Sequence, residues 1–272
     1  MPGQALLDDS LEVPPGAGVI PILRQVGESQ FKVVGTGFFL TRYGLFATAK
    51  HVLDELVDSE TMSLKPGFVF QHEPPHVFIR RIVSASLSRT ADVAIGQADN
   101  GIGGSGALGP PNLRCGLSFS RPGPGEDLLS YAYPENEPLD FRDESSRPTL
   151  RGDYTRGQFR EQINSGERPY IPYPHYETSL EIRGGASGCP IFNASGRVVG
   201  IACRGWDFRG GEHEGENLSS IIPVTQLLPI EVACARIPSD SWEYGQIPSL
   251  RRSNVLTLAE MVTYGHIDVG AL

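Results

Sequence analysis

Glycine and proline interrupt this sequence so often that a fold built from long helices is excluded. The chain of 272 residues contains 32 Gly and 22 Pro, and both residue types end or turn regular elements. Between them lie short runs rich in β-branched and aromatic residues, such as Val19–Arg24 and Phe31–Leu40, which predict strands. The pattern therefore predicts an all-β protein, and the length fits one two-lobed domain with or without short extensions.

The same pattern continues along the chain. It predicts further strands at Leu45–Ala49, Phe68–Gln71, Val77–Ser84, Val93–Gly96, Leu128–Tyr133, Tyr176–Glu181, Arg197–Cys203 and Leu218–Ile222. Residues 134–176 are charged and rich in proline, which predicts a solvated surface excursion, or alternatively a loop beside a binding cleft. Leu256–Tyr264 predicts a short helix near the C-terminus.

One loop carries the strongest chemical signal. Gly184-Gly185-Ala186-Ser187-Gly188-Cys189-Pro190 places a serine between glycines, which allow the backbone to turn sharply and successive N–H groups to face one point. A serine hydroxyl becomes a good nucleophile when a base removes its proton and N–H groups stabilise the oxyanion. Ser187 is thus a candidate nucleophile, and a purely structural turn serine is the alternative. Cys189 is interpreted as a small buried thiol.

Two upstream segments supply the partners that such a serine needs. Ala47-Thr48-Ala49-Lys50-His51 presents a histidine at a corner made of small residues, and Asp92 precedes the short apolar strand Val93–Gly96. A histidine can take the hydroxyl proton, and a carboxylate can orient the histidine and stabilise its cation. Asp54 is the rival carboxylate, but it lies one helical turn from His51 and is expected to face solvent.

With these motifs in the order His51, Asp92, Ser187, the chain resembles the trypsin/chymotrypsin-like serine peptidases, in particular the compact bacterial branch that includes the HtrA-type protease domain. The resemblance covers roughly residues 18–230, and the segments that carry it are Gly35–Leu40, Thr48–His51, Asp92–Ile95, Gly185–Pro190 and Gly196–Ala202. It implies two six-stranded antiparallel β-barrels with the active site between them, followed here by a short C-terminal helix. It also implies peptide-bond hydrolysis through an acyl-enzyme at Ser187.

The resemblance divides the chain into five parts. They are an N-terminal arm (residues 1–17), an N-terminal barrel with His51 and Asp92 (18–97), a crossover (98–126), a C-terminal barrel with Ser187 (127–230) and a C-terminal extension packed on the barrels (231–272).

The resemblance also assigns the finer parts of the site. It implies an oxyanion hole formed by the N–H groups of Gly185 and Ser187. Glu181 lies where related enzymes place the floor of the specificity pocket, which would favour Arg or Lys in the substrate, or else it points outward. Arg204 would favour acidic groups, or would pair with Glu181.

One position departs from the digestive relatives. They have an aspartate just before the serine that pairs with a newly cut N-terminus, whereas Ala186 stands here. We therefore expect the site to form without N-terminal cleavage.

Charge and cysteine content limit the partners. The formal net charge of −9 argues against nucleic acid or an anionic membrane as the main partner. The N-terminus lacks the basic and apolar regions of a secretory signal, and the four cysteines form no zinc-type spacing, so we expect a cytoplasmic protein with free thiols and without metal or cofactor. A Cys189–Cys203 disulfide stays open. The expected ligands are a protein or peptide substrate and a regulatory protein, and a catalytically silent binding module is the alternative function.

Overall fold

Short strands separated by turns dominate the computed structural model, which describes residues 5–7, 11–13, 18–41, 44–57, 65–73, 76–99, 113–140, 150–169, 171–207, 217–233, 255–263, 265 and 267–269. Within the predicted arm, β1 (Ala5–Leu7) pairs antiparallel with β2 (Leu11–Val13). Residues 100–112 of the predicted crossover and Cys234 lie outside the described residues.

The first half of the chain forms a closed barrel of six antiparallel strands. In chain order they are β3 (Val19–Gln25), β4 (Gln30–Phe39), β5 (Leu45–Thr48), β6 (Gly67–Glu73), β7 (His76–Leu87) and β8 (Ala94–Ala98), with helix α1 (Lys50–Asp54) between β5 and β6. The strand order is β4-β3-β6-β7-β8-β5, and pairing of β4 with β5 closes the barrel. Its interior holds Ile20, Ile22, Phe39, Phe46 and Leu53 together with further apolar side chains.

A second closed barrel follows. Its half of the chain contains β9 (Asp127–Ala132), β10 (Leu139–Asp140), β11 (Asp153–Ile163), β12 (His175–Thr178), β13 (Pro190–Phe192), β14 (Val198–Asp207) and β15 (Asn217–Pro223). The barrel order is β11-β12-β15-β14-β13-β9, whereas β10 crosses over and pairs with β4 of the first barrel. The predicted pair of six-stranded antiparallel barrels is thus confirmed.

The C-terminal segment packs against both barrels. After a 3₁₀ turn at Val224–Leu227, β16 (Glu231–Ala233) pairs with β17 (Val255–Thr257), which leads directly into helix α2 (Leu258–Thr263). Leu258 and Met261 of α2 are buried in the cluster that also holds Phe38, Val93 and Ile201. The predicted short C-terminal helix is confirmed, and the predicted part boundaries stay predictions.

Strand β11 corrects the prediction of a loop over residues 134–176. Eleven residues of that segment, Asp153–Ile163, form a strand paired with β9 and β12. Only Phe159 and Ile163 of this strand are buried, so its sequence carries almost no apolar alternation by which a strand could be predicted.

Two further findings concern the state of the described cysteines and the character of the described helices. Cys115, Cys189 and Cys203 are free buried thiols, so no Cys189–Cys203 disulfide is formed. None of the helices in the described part of the chain has the length and apolar character that a membrane span requires.

Candidate active site

His51 and Asp92 meet through two hydrogen bonds at the open end of the first barrel. His51 stands on α1, directly after β5, and Asp92 lies just before β8, the strand that pairs with β5. The backbone N–H of His51 donates to Asp92 Oδ1 at 2.9 Å, and Nδ1 lies 2.7 Å from Oδ2. The Asp92 carboxylate is well shielded, with 13% of its side chain exposed, whereas the His51 ring is 42% exposed. The ring therefore faces solvent while its partner is held behind it.

The protonation state of Asp92 fixes the orientation of the histidine. Burial by itself would raise the pKa of Asp92, but the hydrogen bonds from His51 and Cys203 and the charge of His51 lower it to about 2. An ionised carboxylate only accepts hydrogen bonds, so the proton of a neutral His51 must sit on Nδ1. Nε2 then carries a lone pair and can act as a base.

Asp54, the rival carboxylate, stands apart from this pair. It is exposed on α1, and its backbone carbonyl accepts the N–H of Val57. Within the described part of the chain, its carboxylate makes no hydrogen bond to His51, so Asp92 is the carboxylate that contacts the histidine.

The Ser187 loop is shaped by two glycines in the left-handed region. Gly185 (φ +85°) occupies the third position of a turn in which the Ala186 N–H donates to the Arg183 carbonyl at 3.0 Å. Gly188 (φ +88°) lies so close to the first barrel that an added Cβ would come within 2.1 Å of Thr48 Oγ1 and 2.2 Å of the Thr36 carbonyl. Both positions therefore require glycine.

Thr36 of β4 connects the first barrel to the Ser187 loop. Its N–H donates to the Ser187 carbonyl at 2.8 Å and its hydroxyl donates to the Gly185 carbonyl at 2.9 Å. The same hydroxyl oxygen accepts the N–H of Tyr133 at 3.1 Å, and Thr48 Oγ1 donates to the Thr36 carbonyl at 2.7 Å. The Thr36 side chain is fully buried, and its bond from Thr48 is shielded from water.

The peptide between Gly184 and Gly185 is oriented by Glu135. The Glu135 N–H donates to the Gly184 carbonyl at 2.9 Å, and a trans peptide directs the next N–H, that of Gly185, to the opposite side. Among the hydrogen bonds of the described residues, the N–H groups of Gly185 and Ser187 have no acceptor. They are the two groups that the family resemblance implies for an oxyanion hole.

Glu135 itself holds an unusual conformation. Its φ of 49° makes it the only described non-glycine residue with positive φ, a conformation that costs free energy in residues with a Cβ. Glu135 has no sequence motif, and Thr36 lies within the Gly35–Leu40 segment without a role of its own being predicted. Both residues act mainly through backbone groups or a single hydroxyl, whose partners the sequence does not indicate.

Cys203 of β14 lies between Ser187 and the pair formed by His51 and Asp92. The Ser187 hydroxyl donates to the Cys203 carbonyl at 3.3 Å, longer than an ordinary O–H···O bond, and among the described residues it makes no hydrogen bond to His51. The thiol of the same Cys203 lies 2.8 Å from Asp92 Oδ2. Cys203 thus contacts both Ser187 and Asp92, a role that its sequence position does not indicate.

His51, Asp92 and Cys203 also form a set of potential metal ligands, with ligand atoms within 4.8 Å of one another. Zinc would require a Cys203 thiolate. Burial, together with the charge of Asp92 and the hydrogen bond to it, raises the pKa of Cys203 to about 12. The Asp92 oxygen is already bonded to both other groups, so the set is organised by hydrogen bonds.

The two candidate specificity residues, Glu181 and Arg204, each precede one member of a close backbone contact in the chain. The carboxylate of Glu181 is 53% exposed and 3.5 Å from Nε of Arg183, which also pairs with Asp153. Arg204 is exposed on β14. In that contact, a Cβ added to Gly205 would lie 2.4 Å from the Ile182 carbonyl. Among the described residues Glu181 pairs with Arg183, and the roles in specificity stay predictions.

Cys189 lies next to the Ser187 loop but is fully buried, and burial raises the pKa of its thiol to about 12. This agrees with the interpretation of Cys189 as a packing residue.

Comparison with known proteins relates this arrangement to one family model and to solved structures. The model of the trypsin-like peptidase domain matches residues 35–201. The crystal structure of Deg5 aligns with a TM-score of 0.52 and 16% identity over 77% of this chain and 85% of that chain. The crystal structure of the serine endoprotease from Yersinia pestis aligns with a TM-score of 0.50 and 18% identity over 77% of this chain and 60% of that chain. At these identities the structural likeness concerns the fold alone. No curated protein matches the sequence significantly.

Proposed function

We propose that Ser187 is the nucleophile, His51 the general base and Asp92 the carboxylate that orients the base. The chain belongs to the trypsin-like peptidase domain family and is therefore a serine endopeptidase. The observation that carries this proposal is the pair of hydrogen bonds from His51 to Asp92, at 2.9 and 2.7 Å, which leaves Nε2 as the basic nitrogen. The alternative, a catalytically silent binding module, would have no need of an oriented base.

The proposed reaction runs through two steps that mirror each other. Ser187 Oγ forms a bond to the carbonyl carbon of the substrate while its proton passes to His51 Nε2. The carbon–nitrogen bond then breaks, and the same proton goes to the leaving amine. Water next gives a proton to Nε2 and attacks the acyl carbon. The bond to Ser187 breaks, and the proton returns to the Ser187 oxygen. The long hydrogen bond from Ser187 to Cys203 costs little to exchange for one to His51.

The N–H groups of Gly185 and Ser187 are proposed to stabilise the oxyanion that forms in each step. The hydrogen bonds that Glu135 and Thr36 make to the carbonyls of Gly184 and Gly185 support this role, because they hold the turn in one orientation. The same bonds support the proposal that the site forms without N-terminal cleavage, since they replace the missing ion pair at Ala186.

The substrates of a peptidase domain are peptides or proteins. We further propose that a regulatory protein limits access to the site. The cytoplasmic location expected from the sequence stays a prediction.

The test is to react the intact chain with a fluorophosphonate and to locate the adduct by mass spectrometry. We expect labelling at Ser187 that is lost in Ser187→Ala and in His51→Ala. The labelled wild-type chain should keep its full mass, because the site is proposed to form without N-terminal cleavage. Ser195→Ala is the matched control, because among the described residues Ser195 bonds to Asn193 of its own exposed turn. An intact wild-type chain that is folded and unlabelled would contradict the proposal and favour the silent binding module.

A further inference from the structure

The turn Arg183–Ala186, which contains the Gly185 N–H and is named here the oxyanion turn, is held at its first residue by both backbone and side chain. The Arg183 carbonyl accepts the Ala186 N–H at 3.0 Å, which closes the turn. The Arg183 guanidinium donates to the Asp153 carboxylate at the start of β11. Its Nε lies 3.5 Å from Glu181 Oε1, and among the described residues it makes no hydrogen bond. Asp153 is therefore the group that fixes the position of the guanidinium.

The oxyanion turn has little steric preference of its own. Gly185, with φ +85° at the third position, gives it the geometry of a type II turn. In a type I turn the peptide between Gly184 and Gly185 has the reverse orientation, and the Gly185 N–H points the other way. A Cβ added to Gly184 would meet no atom within 4 Å, so no neighbouring atom blocks this rotation on that side. The orientation of the turn thus depends on bonds from other segments.

Glu135 supplies one of these bonds, and the position of Glu135 depends on the next residue. The Glu135 N–H donates to the Gly184 carbonyl at 2.9 Å. The Asn136 side chain forms two hydrogen bonds to the backbone of Arg151: Nδ2 donates to its carbonyl at 3.1 Å and Oδ1 accepts its N–H at 2.9 Å. Glu135 is thereby attached to the chain two residues before Asp153, the partner of the oxyanion turn.

These contacts surround a cavity of about 780 Å³. Among the described residues, the cavity is lined by residues 134–140, by residues 151–153 and by Arg183. Apolar packing therefore does not set the distance between these segments across the cavity. Polar contacts set it: the Asn136 side chain on one side, and the ion pair of Arg183 with Asp153 on the other.

We propose that Arg183 is a positioning residue whose ion pair with Asp153 holds the oxyanion turn, so that the reactivity of Ser187 depends on ionic strength. This rests on the proposed function, in which the turn supplies an N–H to the oxyanion. The Arg183 and Asp153 side chains are 31% and 52% exposed, so salt screens their attraction and the pair adds little to the stability of the fold. The rate still responds, because oxyanion stabilisation requires a donor that is already oriented.

A double-mutant cycle tests the ion pair. Arg183→Gln and Asp153→Asn each remove one charge and retain the size of the side chain, and the double variant removes both charges. Arg183→Lys keeps the charge and should lose less than Arg183→Gln. Arg197→Gln is the matched control, because Arg197 forms a partly exposed ion pair with Asp268 from the turn between β13 and β14. We expect every full-length variant to unfold within about 3 °C of the wild type.

The first readout needs no reaction at Ser187. It is the hydrogen-exchange rate of the Glu135 amide, measured by NMR in a Ser187→Ala background. We expect Arg183→Gln to raise this rate at least about tenfold, because the amide loses its carbonyl partner whenever the oxyanion turn rotates. The Thr36 amide, which bonds to the carbonyl of residue 187 from the first barrel, is the internal control and should keep its rate.

The second readout is the kinetics of fluorophosphonate labelling. At low ionic strength we expect Arg183→Gln and Asp153→Asn each to lower the maximal labelling rate about tenfold, with the half-saturating probe concentration unchanged. The double variant should lose no more than either single variant. Raising salt from about 0.02 to about 1 M should slow the wild type towards the rate of Arg183→Gln, which should itself stay constant.

The outcomes separate the two proposals. If Arg183→Gln leaves amide exchange and labelling where Arg197→Gln leaves them, or if the double variant loses the product of the two single losses, the ion pair does not hold the turn and the inference is wrong. If exchange of the Glu135 amide rises as expected while the folded wild type is not labelled, the inference holds and the proposed function fails.

Discussion

Asp92 concentrates the electrostatics of the site in a single side chain. Oδ1 accepts the backbone N–H of His51, and Oδ2 accepts from the imidazole and from the Cys203 thiol. A carboxylate that is mostly shielded from water stays ionised only when donors compensate its charge. These three donors do so. Because two of them belong to His51 on α1, the position of that helix is linked to the charge of Asp92.

Replacing Asp92 by asparagine tests the orienting role. Asp92→Asn can donate to Nδ1 and so favours the wrong tautomer of His51, and we expect the rate of fluorophosphonate labelling at neutral pH to fall by about 10⁴. Asp54→Asn is the matched control on the exposed face of α1, and it should label at the wild-type rate. A loss smaller than tenfold in Asp92→Asn would contradict the role given to Asp92.

Asp92 also predicts a pH dependence of folding. Its pKa is about 2 in the folded chain, against 3.8 for an ordinary aspartate. The stabilisation is therefore present above about pH 4 and is lost as pH falls through about 2. Linkage gives a contribution of about 2 kcal/mol at neutral pH. Urea unfolding of wild type and Asp92→Asn should show a stability difference that shrinks over this window. A difference independent of pH would show that Asp92 does not carry the shift.

At the scale of single elements, the Ser187 loop depends on contacts from β4 and from the turn that follows β9. The glycines at 185 and 188 are visible in the sequence as a motif. Their partners are not, because the loop is held by Thr36 and Glu135, which lie far away along the chain.

Thr36 offers a test of the connection between the barrels. Thr36→Val removes the hydroxyl that bonds to the Gly185 carbonyl and accepts the Tyr133 N–H. We expect it to lower the free energy of unfolding by about 1–3 kcal/mol and to slow fluorophosphonate labelling of Ser187 at least tenfold. Thr36→Ser keeps the hydroxyl and should lose far less of both. Equal effects of Val and Ser would mean that the methyl group, not the hydroxyl, matters.

Glu135 tests the orientation of the oxyanion turn. Glu135→Gly removes the cost of φ +49° and keeps the N–H that holds the Gly184 carbonyl, so we expect labelling to persist and stability to rise by about 0.5–1 kcal/mol. Glu135→Pro removes the N–H and fixes φ near −65°, so labelling should be lost. The comparison uses labelling rates and thermal unfolding of both variants, and labelling that survives in Glu135→Pro would contradict the role of this bond.

The elements also show what a sequence can and cannot predict. The strands of the first barrel and the segments with His51, Asp92 and Ser187 were predicted because apolar runs and local motifs mark them. Strand β11 was missed because most of its side chains face solvent and its pairing comes from β9 and β12. Cys203 was missed because a contact between β14 and Asp92 depends on how the barrels pack.

At the scale of the molecule, the largest apolar cluster among the described residues belongs to neither barrel alone. It joins Phe38 and Val93 of the first barrel to Phe192 and Ile201 of the second, and α2 adds Leu258 and Met261. Because the barrels share this cluster, neither can lose its structure without exposing apolar surface of the other.

This shared cluster predicts cooperative unfolding. We expect one calorimetric transition with equal calorimetric and van't Hoff enthalpies. Leu258→Ala, at a fully buried position of α2, should destabilise that single transition by about 2–5 kcal/mol. Leu87→Ala, at an exposed position of β7, is the control and should cost less than about 1 kcal/mol. Two separate transitions, or an unchanged midpoint in Leu258→Ala, would contradict a shared core.

The hydrogen bond from Thr36 to the Ser187 carbonyl constrains the order in which the site can form while the chain is being synthesised. A ribosome makes β4, His51 and Asp92 well before it makes Ser187, so a half-finished chain contains a base without a nucleophile. When the serine emerges, its loop can gain the hydrogen bond from Thr36 only once the first barrel has folded, and β14 must follow before Cys203 can reach Asp92. If the site acts as proposed, reactivity is the last property a new chain acquires, and unfinished copies cannot cut the proteins around them.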